Sequence, residues 1–250
     1  MTDSGRKKLA RRALERQLDY QERKAKHVRG READIIAAMQ ASSRKVRELL
    51  ESFKPIDVDA RVIEVGSGAH GLIFYFGAKT GIGVDPLAVH YAELFPGWQR
   101  RALTISAAGE SLPFRDNSFE VVICDNVVDH AENPAQIVKE LVRILTPGGL
   151  LYFSVNFHHG IYSVAASAHA MWNSLGVSYE IGPFADHTVH LTARAAAELL
   201  AGLPLKKLEE KHGVEEAKAL ARKRPPRHVG DRLKRLFYKN ALYEVVAEKV

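Results

Sequence analysis

The spacing of apolar positions divides the chain into two regimes. From Arg31 to Phe53, residues Ile35, Ile36, Met39, Val46, Leu49, Leu50 and Phe53 recur at helical spacing and predict one amphipathic helix that stops near Pro55. The preceding stretch, 6–27, is polar and helix-prone, with too few apolar positions to pack firmly. Beyond Pro55 the period changes. Short β-rich runs stand at 60–65 (ARVIEV), 80–85 (TGIGVD), 102–106 (ALTIS), 120–125 (EVVICD) and 150–155 (LLYFSV), separated by intervals long enough for helices. These runs are apolar almost without interruption, as expected of strands covered on both faces. The alternation predicts an α/β fold with a parallel sheet. Residues 135–145 (AQIVKELVRIL) predict an amphipathic helix, stopped by Pro147 and the pair Gly148-Gly149. Two more strands are predicted in 204–210 and 241–250, around a basic, partly helical insertion that contains Pro225-Pro226. The expected organisation is a helical extension over 1–54 and one domain over 55–250.

Composition narrows this picture. No apolar run approaches the ~20 residues of a membrane span, and the N-terminus has no apolar signal core, so a cytoplasmic protein is expected. The single cysteine, Cys124, excludes an intramolecular disulfide and an all-cysteine zinc site. The net charge of +6 is uneven: residues 1–30 and 206–236 carry +6 each, while 31–205 carry −6. Basic flanks attract nucleic acid or anionic lipid, but aromatic residues are sparse there, and solvated helix surface is the simpler reading.

The candidate chemistry begins at Arg61–Gly71 (RVIEVGSGAHG), where Gly66, Gly68 and Gly71 spell G-x-G-x-x-G after an apolar run. Such a loop lets a ligand approach the main chain, and Asp85, at the end of the next run, suits the two hydroxyls of a ribose. NAD and S-adenosylmethionine (SAM) both meet these requirements. Glu64 favours the second. A buried carboxylate beside the loop would repel a pyrophosphate but suits a ligand that carries an ammonium and a sulfonium. Glu64 can equally cap amides of its own loop.

The downstream text, AAGESLPFRDNSFEVVICDNVVDHAENPAQIVKELVRILTPGGLLYFSV, resembles the class I SAM-dependent methyltransferases, in particular the branch that methylates quinones and natural products. The motifs occur in the family's order: Glu-x-Gly-x-Gly, Asp85, Leu-Pro-Phe before D-x-S-F-E, His130, and R-I-L-T-P-G-G. The resemblance runs from about Ala60 to Val155, with a weaker echo in the closing strand. It implies a Rossmann-like, doubly wound, seven-stranded sheet whose last strand is antiparallel. It also implies SAM as cofactor, with Glu64, Gly66, Ser67 and Gly68 at its methionine part and Asp85 on the ribose. Pro86-Leu87 would lie along the adenine, and Asn126 near the methionyl end. Two positions depart from the family pattern. His70 stands where a third glycine is usual, and Ala108-Gly109 where an adenine-gripping Asp is common. Adenine contact is therefore assigned to the backbone around Gly109 and Glu110.

Methyl transfer asks for an aligned acceptor and, for a hydroxyl, a base. The candidates are His130, with Asp129 beside it, then His158, His159 and Tyr162, and the lid candidates His187 and His190. H-T-V-H at 187–190 lacks an acidic third ligand, so no metal is expected. A small-molecule acceptor is the leading expectation. The alternatives are an RNA methyltransferase that uses the basic flanks, or a SAM-fold partner protein without turnover.

Overall fold

A computed structural model describes residues 3–28, 30–159, 191–223, 238 and 240–250, with side chains from Leu14 onward. In chain order the elements are α1 (Asp3–Val28), α2 (Glu32–Glu51), β1 (Arg61–Val65), β2 (Thr80–Val84), α3 (Ala88–Leu94), α4 (Pro96–Gln99) and β3 (Leu103–Ile105). They continue with β4 (Phe119–Asp125), α5 (Pro134–Ile144), β5 (Leu145–His158), α6 (Ala193–Glu198), β6 (Leu205–His212), α7 (Val214–Lys223) and β7 (Asn240–Lys249). Two single 3-10 turns, Leu72–Tyr75 and Val128–His130, complete the described elements.

Among the described residues, seven strands form one sheet in the order β3-β2-β1-β4-β5-β7-β6. Strands β1 to β5 run parallel, and β7 is antiparallel to both of its neighbours. Successive strand side chains point to opposite faces, which is why the runs had to be apolar throughout. One face gathers Ile63, Val65, Val122, Leu151 and Phe153 against Ile137, Val138 and Leu141 of α5. The other gathers Val62, Val121, Ile123, Leu150 and Tyr152 against Met39, Val46 and Leu50 of α2.

Two intervals expected to hold helices are built differently. Between β1 and β2 there is only the 3-10 turn Leu72–Tyr75, and α2 occupies the face that a crossover helix would cover. The hydroxyl of Ser43 donates to the Leu72 carbonyl at 2.6 Å, and the Arg47 guanidinium donates to the Phe76 carbonyl at 2.8 Å. Met39, Val46 and Leu50 are buried, each contributing on the order of 1.5–3 kcal/mol. The second half of the helical extension thus shares a core with the sheet.

Between β3 and β4 a loop replaces the expected helix, and Arg143 in the last turn of α5 holds it. Its guanidinium donates to the Phe114 carbonyl at 2.8 Å, the Leu112 carbonyl at 3.1 Å and the Asp116 carboxylate at 2.8 Å. Glu140 accepts from Arg143 at 2.7 and 2.8 Å and from the Leu112 N–H at 2.8 Å. The Arg143 partner holds the Glu140 carboxyl below its usual range. Helix α5 itself ends at Ile144, short of Pro147. Leu145 is already extended, and the strand absorbs Thr146–Gly149 as an irregularity in its register against β4.

The corner after β1 is organised by Glu64, which is 2% exposed. Its carboxylate accepts from the Leu72 N–H at 3.1 Å and the Ile73 N–H at 2.9 Å, two of the donors that open the 3-10 turn. Gly71 supplies the room: a Cβ there would stand 2.5 Å from the Glu64 carboxylate and 2.5 Å from the Ser67 carbonyl. Burial pushes the Glu64 pKa up to about 8, against the pull of the two N–H donors, with the Asp125 and Asp85 charges adding to the rise.

Glu64→Gln should turn an NH2 group toward one of these N–H donors and lower stability at neutral pH by about 1–3 kcal/mol, read as a shift of the urea midpoint. Because the folded-state pKa lies above the ordinary carboxyl value of 4.5, the stability tied to the protonated side chain is complete below that value and lost as pH rises through about 8. The Gln variant has no such titration, so its deficit should shrink with rising pH across that window. Gly71→Ala should cost about 1–3 kcal/mol by the same measurement.

Candidate functional site

In an open parallel sheet the strand order reverses where neighbouring connections leave on opposite faces, and the carboxyl ends of the strands open a crevice there. Here the reversal lies between β1 and β4. A cavity of about 690 Å³ occupies that crevice, ample for a nucleoside-sized ligand.

The loop after β1 forms its floor. Gly66 has φ +79°, and a Cβ at this position would run into the Val127 side chain. The Gly66 and Ser67 N–H groups both donate to the Val84 carbonyl, at 2.7 and 3.1 Å, which folds the loop back over β2. Asp85 follows β2 directly. Its two carboxylate oxygens accept from the Gly68 N–H at 3.0 Å and the Leu87 N–H at 2.8 Å, which fixes the group's orientation on the cavity wall. Each oxygen retains a second lone pair for a ligand hydroxyl. Burial raises the Asp85 pKa, and the two N–H donors oppose that rise.

Of the ten residues expected to hold a cofactor, Gly66, Gly68, Asp85, Pro86, Leu87, Gly109, Glu110 and Asn126 line this cavity. Glu64 and Ser67 stand behind the loop. Glu64 is spent on the amides of Leu72 and Ile73, and Ser67, 3% exposed, packs its hydroxyl toward Gly83 of β2. The carboxylate that weighed against a pyrophosphate therefore acts through the loop's shape. Glu110 contributes wall, while its carboxylate accepts from the Glu132 and Asn133 N–H groups at 3.1 and 3.2 Å, ahead of α5. Asn126, at φ +55°, accepts through its side-chain oxygen from the Asn156 amide groups at 3.1 and 2.6 Å, and so ties β4 to β5. Ala107 and Ile137 add an apolar slot beside Gly109, where a Cβ would come within 3.1 Å of Ile137.

The structure separates the three histidines proposed for chemistry. His130 lines the cavity, with Nε2 3.8 Å from the carboxylate of the fully buried Asp129. His158 is buried at the end of β5, its backbone N–H donating to the Leu191 carbonyl at 2.8 Å. His159 packs its ring edge-to-face on Tyr238 at 5.3 Å. Neither His158 nor His159 lines the cavity. Tyr162, His187 and His190 lie outside the described residues. Among the described residues no three metal-binding side chains cluster, and no helix is long and apolar enough to cross a membrane.

His70, the departure in the glycine loop, points away from the cavity. Its ring packs against Phe95 at 5.1 Å and Trp98 at 5.4 Å, and burial, reinforced by the Lys24 charge, lowers its pKa to about 4. Sequence reasoning missed Tyr91 and five residues of α1, namely Leu14, Arg16, Gln17, Tyr20 and Arg23, all on the cavity wall. Tyr91 carried no motif. The α1 residues do share one helical face, but in so polar a segment that face gave no signal.

A family model described as a methyltransferase domain matches residues 63–153. An uncharacterized methyltransferase of Mycobacterium sp. (strain JLS) is 30% identical over 144 residues, 54% of this chain and 47% of that protein. The chain spans about half the length of the curated relatives it matches. Among solved structures, geranyl diphosphate methyltransferase in complex with SAM superimposes with a TM-score of 0.61 at 14% identity, over 88% of this chain and 91% of that one. The [4+2]-cyclase SpnF superimposes with a TM-score of 0.55 at 16% identity, over 84% and 81%. At such identities these two likenesses speak for the fold alone. The ordered motifs, the reversal of strand order at β1–β4 and the match over 63–153 agree: residues 63–153 match a methyltransferase domain, and the fold around them is that of the class I SAM-dependent methyltransferases.

Proposed function

We propose that the chain binds SAM in the cavity at the β1–β4 reversal and transfers its methyl group to a small-molecule acceptor. One observation carries the reading: Asp85, oriented by two backbone N–H groups, faces the same cavity as Gly66, Gly68 and the Ala107–Ile137 slot. The residues fit the cofactor. Asp85 would accept the ribose hydroxyls, the apolar slot beside Gly109 would take the adenine, and Gly66 and Gly68 would admit the methionine part to the main chain. When bound, SAM supplies a methyl group on a sulfonium, which needs no metal.

The residues of the chain then have three tasks. The loop from Gly66 to Gly68 positions the ligand, the apolar walls exclude water, and a base accepts a proton if the acceptor is a hydroxyl. For the last task His130 is favoured over His158 and His159, because it alone of the three faces the cavity and has the Asp129 carboxylate beside it. The geometry favours a small acceptor over RNA. In the described part of the basic C-terminal region, Lys207, Lys211 and Lys218 are paired with Glu210, Glu209 and Glu215. Such pairing leaves less free positive charge for a phosphate backbone. The likeness to a [4+2]-cyclase means that the fold by itself does not assign methyl transfer, so turnover is part of the test.

Calorimetry should show binding of SAM and of its demethylated product, S-adenosylhomocysteine (SAH), to the wild-type chain. Asp85→Asn should weaken both by roughly 10- to 100-fold, the loss expected for hydrogen bonds to a charged group. Absence of binding by the wild-type chain would overturn the reading. In a methyl-transfer assay against a panel of small hydroxyl and amine acceptors, His130→Ala should lower turnover about 100-fold and leave SAH affinity intact. His158→Ala should leave turnover near wild type.

A further inference from the structure

We propose that α1 is a wall of the cofactor site, and that Tyr20 closes over the nucleoside part of the bound cofactor. The inference rests on the SAM reading above and goes beyond it, since α1 lies wholly outside the matched segment 63–153.

The placement is geometric. Leu14, Gln17, Tyr20 and Arg23 follow one another at steps of three along one face of α1, and all four line the cavity that Asp85 and Gly109 line. Tyr20 is 53% exposed and Leu14 38%, so these large side chains are turned to the concave site and not into a core. An aromatic ring in that position offers a face on which any purine can stack. Gln17 lies beside the side chain of Tyr91 on the same cavity wall, and Tyr91 in turn lies close enough to Asp85 to feel its charge. The ribose-facing carboxylate and the helix above it are thus linked through one tyrosine.

The seat of α1 also explains how a ligand enters beneath it. Val28 is the one buried apolar side chain among the described side chains of α1, with Leu18 and Ala25 half-buried, against three buried apolar side chains on α2. The seat is otherwise polar. The Gln21 side-chain oxygen is buried without a hydrogen-bond partner among the described residues, and so is Nε2 of His70, which feels the Lys24 charge. Unpaired buried polar atoms weaken an interface. Gly30, at φ +86°, joins α1 to α2 and provides a joint. A helix held this lightly can lift for ligand exchange and settle again once the ligand fills the space below it.

The test uses the full chain. SAH affinity is measured by calorimetry for the wild type, Tyr20→Ala and Tyr20→Phe, and amide hydrogen exchange over residues 14–28 is followed with and without SAH. Tyr20 is exposed, so neither substitution should alter the melting temperature. Loss of the ring should weaken SAH binding about tenfold, Phe should restore it to within about twofold, and SAH should slow exchange over 14–28. Wild-type affinity in Tyr20→Ala, or exchange over α1 indifferent to SAH, would overturn the role of α1 while leaving the SAM reading standing. No SAH binding by the wild-type chain would overturn both.

Discussion

The carboxylate of Glu64 sits behind the first glycine loop and takes the N–H groups of Leu72 and Ile73, two donors that would otherwise be buried without partners. Much of the site follows from that contact. It bends the chain within a few residues of the end of β1, so that a single 3-10 turn suffices before β2. The short connection leaves one face of the sheet to be covered by α2, whose Ser43 and Arg47 grip the same turn. The bend also presents Gly66 and Gly68 to the crevice and brings the Gly68 N–H within reach of Asp85. A carboxylate that never faces the cavity thereby sets the shape of its floor.

Residues in the motifs divide into those that face the cavity and those that hold the facing residues still. Asp85 belongs to the first group. Arg143 belongs to the second: from the end of α5 it gathers Leu112, Phe114 and Asp116, and so fixes the segment that follows Gly109 and Glu110. Glu110 does both, lining the wall with its backbone region while its carboxylate caps the approach to α5. An exposed ion pair would contribute little, but the partly buried Arg143–Glu140 pair also satisfies backbone carbonyls and an N–H that the loop leaves without strand partners.

Much of this was legible in the sequence because the parallel strands are buried on both faces, and burial leaves a strong apolar record in runs such as EVVICD and LLYFSV. The position of the site followed from glycines and acids at the ends of such runs. The record failed where polar contacts determine the backbone. The interval between the runs at 60–65 and 80–85 reads as helix by length, yet the reach of Glu64 makes it a turn. Pro147 and Gly148-Gly149 read as helix stops, yet α5 ends earlier and the strand accommodates them as a bulge. His158 and His159 read as substrate-facing because they follow a strand end, but the described packing turns one into the core and stacks the other on Tyr238. The contribution of α1 left no pattern, because a helix face that lines a ligand cavity need not be apolar.

The sheet also constrains the order in which the molecule can be assembled. Strand β6 has one partner, β7, and β7 lies between β5 and β6. During synthesis, residues 205–212 therefore emerge well before the strand that ties them to the sheet, and the free edge of β5 stays open over the same interval. Contacts this distant along the chain form slowly, so the half of the sheet bearing the glycine loop and Asp85 can be in place while this flank still waits. The charges of β6, in LKKLEEKH, then have a second use: a strand so heavily charged is a poor template for association with another chain while its edge is exposed.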